Sequence, residues 1–329
     1  MIRRIQKVGA STYTVSLPKE WVKSNGLDAK SEVDVQIMED GSIRISTLSS
    51  RKKEREILIK EKEGDVGFLI RKIMAAYIAG YDIIRVDLSE ILPKFEGRDK
   101  LRKIIKSKMA GGEIIEESIN HIIIQIIFRP YEYPLNKILM RMATLVHDMI
   151  LDVCRALSIK NRDILMDVIE RDDDVDKLYF MGSRWLASIV EDSYSSIDHD
   201  IESAREVLEY RIVFRHVERV ADHMCKIATI LLNLFDKLDD DHINVIRELL
   251  EGVGTIFVRS VNCIKTRNLL DANKVIHDAR VIIKSSEDAL TGNLLLKKEV
   301  NKLIIALDSI RRIAEYGIGI SEIAFNMNI

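Results

Sequence analysis

The stretch FRHVERVADHMCKIA, residues 214–228, decides the fold of the C-terminal part of this chain. Its apolar residues recur at spacings of three and four, which places them on one face of a helix. A stretch with similar apolar spacing, DSIRRIAEYGIGISEIA, occupies residues 308–324. Similar helices in corresponding positions indicate an internal repeat.

Helical periodicity extends over residues 135–329, and every proline of the chain lies before it. Because proline breaks helix interiors, this distribution favours long helices. We expect six helices, near residues 135–158, 161–190, 200–237, 242–267, 271–290 and 296–325. Short polar joints and the internal repeat predict two three-helix bundles, residues 135–238 and 242–329.

The sequence before this region predicts two smaller domains, so the fold class is multidomain α+β. Residues 1–50 contain short alternating strands around one helix, KEWVKSNG, with a hairpin turn at Asp40-Gly41. A sheet this small buries little surface alone, so we expect it to form a homodimer, with strands interleaved between the chains.

Residues 51–134 indicate a small α/β domain that ends in the proline-containing stretch RPYEYPL, residues 129–135. The strands REILIK and DIIRVDLS flank one helix, which predicts a right-handed parallel crossover. A second helix, RDKLRKIIKSKM, precedes a hairpin formed by EIIEES and HIIIQIIF. No glycine-rich nucleotide loop is present. The domain is therefore either a structural spacer or a sensor of a small ligand.

Composition excludes several classes of protein. The 329 residues include three widely spaced cysteines, which rules out a disulfide framework and CxxC zinc sites and favours a reducing, cytoplasmic location. No apolar run is long enough for membrane insertion. Hydrolase and nucleophile motifs are also missing, so we do not expect an enzyme. A carboxylate-metal enzyme of the helical-bundle type is the least favoured alternative.

Pairs of acidic residues four positions apart mark the first helical repeat. They are Glu218 and Asp222, Asp148 and Asp152, and Asp172 and Asp176. Each pair lies on one face of its helix, where like charges need a compensating cation. Acids on facing helices suit a metal ion, whereas arginines on an exposed face are the simpler alternative. The second repeat has Arg311 and Glu315 in place of Glu218 and Asp222.

Positive charge is concentrated at the N-terminus, in a chain whose formal net charge is −2. The residues that we expect to contact DNA are Arg3, Arg4, Lys7 and Lys23. Such residues neutralise phosphates without reading bases, and a dimer would double their number. The alternative is that these charges only keep the outer faces of small strands soluble.

Residues 3–47 resemble the AbrB/SpoVT/MazE swapped-hairpin DNA-binding family. The resemblance rests on a basic first strand, Gly9, LPKEW, a short helix, Gly26-Leu27 and EVDVQIMEDGSIRI. It implies a homodimer that binds double-stranded DNA, with Arg3, Arg4 and Lys23 at positions that are basic in the family. The chain departs from the family at Ala10, where members often have arginine.

Residues 138–325 resemble the PhoU family of phosphate-uptake regulators. The matching stretches are MATLVHDMILD (142–152), VIERDDDVD (168–176) and RHVERVADH (215–223). The resemblance implies two three-helix bundles and metal clusters held by E(D)-x-x-x-D motifs. Glu218 and Asp222 fit that motif, so divalent or iron-type metal ions are expected in the first repeat.

The two resemblances together imply a cytoplasmic, dimeric regulator of phosphate uptake. In this interpretation the N-terminal domain binds DNA and the C-terminal domain relays phosphate status. The alternative is a signalling adaptor that docks on a phosphate transporter or a regulatory kinase, with the N-terminal domain serving only to dimerise.

Overall fold

The computed structural model describes residues 2–37, 41–47, 54–60, 62, 65–90, 97–128, 133–191, 201, 203–291 and 301–328. The chain divides into two compact units, residues 1–54 and 55–329. The second and third predicted domains, 51–134 and 135–329, thus lie almost entirely in one compact unit. The three-domain division itself stays a prediction.

The N-terminal unit consists of two antiparallel hairpins and a short helix. Its elements are β1 (Gln6–Val8), β2 (Thr12–Thr14), α1 (Lys19–Ser24), β3 (Val33–Ile37) and β4 (Ile43–Thr47). Strand β1 pairs with β2, and β3 pairs with β4. The predicted order of elements is confirmed, although the predicted turn residue Asp40 lies outside the described residues.

The first strand is shorter than the sequence pattern predicts. Alternation begins at Ile2, but β1 begins at Gln6, and among the described residues of this unit no strand pairs with residues 2–5. A strand needs a hydrogen-bonded neighbour, whereas an alternating pattern alone does not provide one. Arg3 and Arg4 therefore precede the paired strand instead of lying on it.

The described residues of the N-terminal unit form no buried core. Among residues 2–47, every residue whose exposure is described is exposed or half-buried. The exposed side chains include large apolar ones, and Ile37 and Ile43, which face each other across β3 and β4, are 83% and 64% exposed. Such a surface on a small sheet is typical of a protein–protein interface.

The second unit begins with a four-stranded sheet carrying two helices. Its elements are β5 (Glu56–Lys60), α2 (Val66–Ile78), β6 (Ile83–Asp87), α3 (Arg98–Lys108), β7 (Gly112–Glu117) and β8 (His121–Ile126). The strand order is β5-β6-β8-β7. Strands β5 and β6 are parallel, as the crossover predicts, and β7 and β8 form the predicted antiparallel hairpin.

In the part of the chain that the structure describes, seven α-helices follow, and they share one continuous apolar core. They are α4 (Leu135–Ile159), α5 (Arg162–Glu170), α6 (Asp172–Glu191), α7 (Ala204–Leu234), α8 (Asp240–Thr266), α9 (Leu269–Thr291) and α10 (Leu303–Asn326). Helices α4 to α7 form the first repeat and α8 to α10 the second. The predicted helical region is confirmed, whereas its division into two repeats stays a prediction.

The predicted single helix over residues 161–190 is in fact two helices, which meet at Arg171. Three aspartates, Asp172 to Asp174, form the first turn of α6. Acidic residues stabilise a helix N-terminus because they face its unpaired N–H groups, so this acidic run favours a new start. Apolar periodicity does not reveal such a break, since both helices present their apolar faces to the same core.

Helix α6 also joins the sheet part of this unit to the helical part, because α2 and α3 pack against it. The guanidinium of the buried Arg184 donates hydrogen bonds to the carbonyl oxygens of Tyr77 and Tyr81 at 2.9 and 2.7 Å. It also binds the carboxylate of Asp82 at 2.7 Å. Residues of α6 are therefore fixed relative to α2 and to the start of β6.

Candidate functional site

Four of the six acids predicted as metal ligands come together between α6 and α7. They are Asp172, Asp176, Glu218 and Asp222, and we call them the acid cluster. Burial, together with the charges of Asp176 and Asp222, raises the pKa of Asp172. Burial and the neighbouring charge of Asp222 raise the pKa of Glu218 to about 7. The four carboxylates therefore share one partly buried site.

Basic side chains from two directions balance the acid cluster. From α7 itself, Arg215 binds Glu218 and Arg219 binds Asp222, each at 2.9 Å. From the sheet part of the unit, the Nζ atom of Lys108 lies 2.6 Å from Asp176. The sequence alone indicates arginines as compensating charges for these acids, but it does not indicate Lys108.

The remaining predicted pair, Asp148 and Asp152, lies on α4 and is held differently. Asp148 is exposed. Asp152 forms an ion pair with Arg171 at 2.6 Å, and the same guanidinium contacts Asp167. Asp148 is therefore solvated, and the charge of Asp152 is balanced by Arg171.

The acid cluster, as it is placed, does not fit a metal ion. Carboxylate oxygens suit hard cations, but among the described residues no three His, Cys, Asp or Glu side chains converge closely enough to hold one. The Lys108 ammonium also occupies the space beside Asp176. Metal ligation by the six predicted residues stays a prediction.

Two histidines of α7 turn toward the second repeat. The rings of His216 and His223 lie 5.4 and 5.8 Å from the ring of Tyr316 on α10, measured between centroids. Burial lowers the pKa of both imidazoles, which favours their neutral form. They contribute to the contact between the two repeats.

The second repeat replaces the acid pair with an internal ion pair. Arg311 of α10 binds Asp308 at 2.6 Å and also contacts Glu315. The position that corresponds to Glu218 thus holds a cation with its own carboxylate partners.

The predicted DNA-contacting residues of the N-terminal unit, Arg3, Arg4, Lys7 and Lys23, are all exposed. Lys7 lies in β1 and Lys23 in α1. Arg3 and Arg4 lie just before β1, and we call these four residues the basic set. Their charged groups are accessible to a phosphate backbone.

None of the helices formed by the described residues combines the length and the apolar character that crossing a membrane requires.

The helices α4 to α7 and the two N-terminal hairpins each match a known domain family. The PhoU domain family matches residues 139–231, which extend from α4 to α7. The MazE family, described as antidote-toxin recognition in a bacterial antitoxin, matches residues 6–58. The chain thus carries a PhoU domain and, before it, a MazE/AbrB-like domain, and both resemblances seen in the sequence are confirmed.

Solved structures agree with the domain assignment. The crystal structure of PhoU from Pseudomonas aeruginosa has a TM-score of 0.53 at 17% identity, covering 59% of this chain and 95% of that one. The phosphate transport system regulatory protein PhoU from Streptococcus pneumoniae has a TM-score of 0.51 at 14% identity, covering 59% and 93%. At these identities the similarity establishes the fold. No curated protein matches the chain.

Proposed function

We propose that this protein is a dimeric regulator of phosphate transport that binds double-stranded DNA through its N-terminal unit. The PhoU domain would relay phosphate status to that unit. The observation that supports the proposal most directly is the exposed basic set on a MazE/AbrB-like domain in the same chain as a PhoU domain. The match to PhoU structures supports the phosphate-related part.

Dimerisation follows from the exposed apolar surface of the N-terminal unit. Ile37 and Ile43 are mostly exposed in the single chain, and their burial by a second copy would supply the missing core. A twofold dimer presents the basic set twice, which suits two half-sites on a palindromic duplex.

Salt-dependent binding of the full-length chain to duplex DNA, including its own promoter, tests the DNA-binding function. We expect Arg4→Ala to weaken binding to all sequences. Because a dimer loses two phosphate contacts, the slope of log K against log salt should become shallower by about 2. The control is Lys103→Ala, which removes an exposed lysine of α3. Absence of salt-dependent binding by the unaltered chain would contradict the proposal.

The relay function needs a test in cells, because it links phosphate status to DNA occupancy. We expect genome-wide occupancy of the tagged protein to differ between high and low phosphate. A metal ion or partner that favours one arrangement of the helices would shift the population of DNA-bound dimer. Equal occupancy under both conditions would leave DNA binding intact but contradict the relay.

A signalling adaptor is the second candidate, and the short first strand favours it. Arg3 and Arg4 precede β1, so the paired strand itself presents only Lys7 of the basic set. In this case the PhoU domain would dock on a phosphate transporter or a regulatory kinase. Normal phosphate regulation by a chain carrying both Arg4→Ala and Lys7→Ala would favour the adaptor over the DNA-binding regulator.

A further inference from the structure

Lys108 reaches into the acid cluster from a different part of the unit. It is the last residue of α3, whereas the acids lie on α6 and α7. Its Nζ atom lies 2.6 Å from a carboxylate oxygen of Asp176 and 3.1 Å from one of Asp173. Both distances are those of direct ion pairs, and the lysine side chain is largely buried.

The backbone around Lys108 is fixed on both sides. Before it, Lys177 of α6 donates a hydrogen bond to the carbonyl oxygen of Lys106 at 3.3 Å. After it, the buried hydroxyl of Tyr77 donates to the carbonyl oxygen of Ala110 at 3.1 Å. The side chain of Met109 is buried in the core of the sheet part. Lys108 is therefore positioned by packing and is not a surface lysine that meets an acid by chance.

The ammonium of Lys108 remains charged in this setting. Burial by itself lowers the pKa of Lys108, but the hydrogen bonds and charges of Asp176 and Asp173 outweigh it and raise that pKa. The same charge acts on Asp172, the first acid of α6. The Lys108 ammonium thus interacts with three carboxylates near the start of α6, those of Asp172, Asp173 and Asp176.

A divalent cation would need the oxygens that Lys108 now contacts. A hard metal ion takes several oxygen ligands at about 2.0–2.6 Å. An ammonium within hydrogen-bond distance of Asp176 both occupies that space and repels a second cation. Two positive groups a few ångströms apart in a partly buried site repel each other strongly, because the screening by water is weaker there than in bulk solvent.

We propose that Lys108 is the resident cation of the acid cluster, and that a divalent metal ion and Lys108 exclude each other there. Because Lys108 contacts Asp173 and Asp176 directly, a metal ion enters only when the Lys108 ammonium leaves these carboxylates. Occupancy of the cluster and the contact between the sheet part and the helical part are thereby coupled. This inference does not depend on DNA binding.

The experiment measures Mn²⁺ binding to the full-length chain by calorimetry and by the electron paramagnetic resonance signal of free Mn²⁺. Three variants are compared with the unaltered chain: Lys108→Gln, Lys108→Met and the control Lys103→Gln. Lys108→Met keeps the length of the apolar stem, so it provides a second neutral variant if Lys108→Gln does not fold.

We expect both neutral variants at position 108 to bind Mn²⁺ at least about tenfold more tightly than the unaltered chain. The control should bind like the unaltered chain. Adding Asp176→Asn to Lys108→Gln should abolish the gain, which would locate the ion at this cluster. Binding by the unaltered chain as tight as that of Lys108→Gln would overturn the proposal, as would a folded neutral variant that shows no gain.

Discussion

Folding shifts the ionisation of Glu218, an acid of the acid cluster, toward higher pH. It is 8% exposed, and its Oε1 atom accepts a hydrogen bond from Arg215, while its Oε2 atom has no hydrogen-bond partner among the residues that the structure describes. Burial and the charge of Asp222 outweigh the two arginines and raise the pKa of Glu218 from 4.5 to about 7. The folded state therefore holds this proton more tightly than the unfolded chain.

We expect Glu218→Gln to stabilise the protein at alkaline pH. An acid whose pKa is raised by folding destabilises the folded state once it ionises, and this cost grows as pH rises from 4.5 to 7. The variant should gain on the order of 2 kcal/mol in the free energy of unfolding at pH 8, with a smaller gain near pH 5. Urea unfolding of the variant and the unaltered chain measures the gain at pH 8 and the gain near pH 5.

The matched control is Glu322→Gln, which neutralises an exposed acid of α10. Its free energy of unfolding should differ from that of the unaltered chain by a small, pH-independent amount. A Glu218→Gln gain that is equal at pH 5 and pH 8 would contradict the assignment of the raised pKa to Glu218.

At the scale of elements, the separation of the helices depends on glycines at their closest approach. A Cβ atom at Gly182 of α6 would lie 2.4 Å from the buried ring of Phe214 on α7. At Gly317 of α10 it would lie 2.5 Å from the side chain of Ile256 on α8. Both distances are too short for van der Waals contact, so only glycine allows these helix pairs to approach as they do.

We expect Gly182→Ala to destabilise the protein, although alanine is the better helix former. The helix preference contributes about 1 kcal/mol in favour of alanine. Overpacking against a rigid aromatic ring costs about 1–3 kcal/mol. The free energy of unfolding should therefore fall, and because α6 carries Asp172 and Asp176, hydrogen exchange should increase at the start of α6.

Gly254→Ala in α8 is the control for this prediction. Its nearest atom, Cγ2 of Ile150, would lie 3.3 Å from the new Cβ. That contact needs only a small shift, so the change in the free energy of unfolding should stay within about 1 kcal/mol. Equal changes in the free energy of unfolding for the two substitutions would show that the close approach of α6 and α7 at Gly182 does not limit the stability of the protein.

The sequence predicts these elements well because each depends on local patterns. Helical periodicity locates α4 and α8, and the strand–helix–strand order predicts the parallel pair of β5 and β6. The spacing of Asp172 and Asp176 likewise predicts that both project from one helix face. The break at Arg171 was missed, since it arises from acidic residues at a helix start within an unbroken apolar pattern.

The lysine that contacts the acid cluster, in contrast, could not be predicted from the sequence. Lys108 is separated from Asp176 by 68 positions, and nothing in the stretch RDKLRKIIKSKM distinguishes it from the neighbouring lysines. Its role depends on how α3 packs against α6, and this is a tertiary contact. The pattern of apolar residues in α3 indicates which face of this helix is buried, but it does not indicate which other helix covers that face.

At the scale of the whole molecule, the two units contrast in how much they bury. The unit of residues 55–329 has a large core, whereas residues 2–47 contain no buried residue among those whose exposure is described. In the proposed dimer, a second copy of the same unit covers the exposed apolar residues of β3 and β4 with identical strands.

For the dimer proposed above, we expect Ile43→Glu to convert it into a monomer. In the single chain this side chain is already 64% exposed, so a charge there costs little by itself. In a dimer that buries Ile43, an unpaired carboxylate at the interface costs several kcal/mol. Light scattering at fixed protein concentration measures the mass.

The control for this prediction is Leu270→Glu, which changes a 79% exposed apolar residue of α9. It should leave the mass unchanged. A dimer that persists in Ile43→Glu would show that β4 does not lie in the interface.

The missing core of residues 2–47 has a kinetic consequence. During synthesis these residues leave the ribosome before residues 55–329, and they cannot collapse around an interior of their own. Their folding is then expected to be a second-order process, with a rate that rises with the concentration of chains. Neighbouring ribosomes on one messenger RNA supply such a concentration, so assembly of the pair is favoured while the helical repeats are still being made.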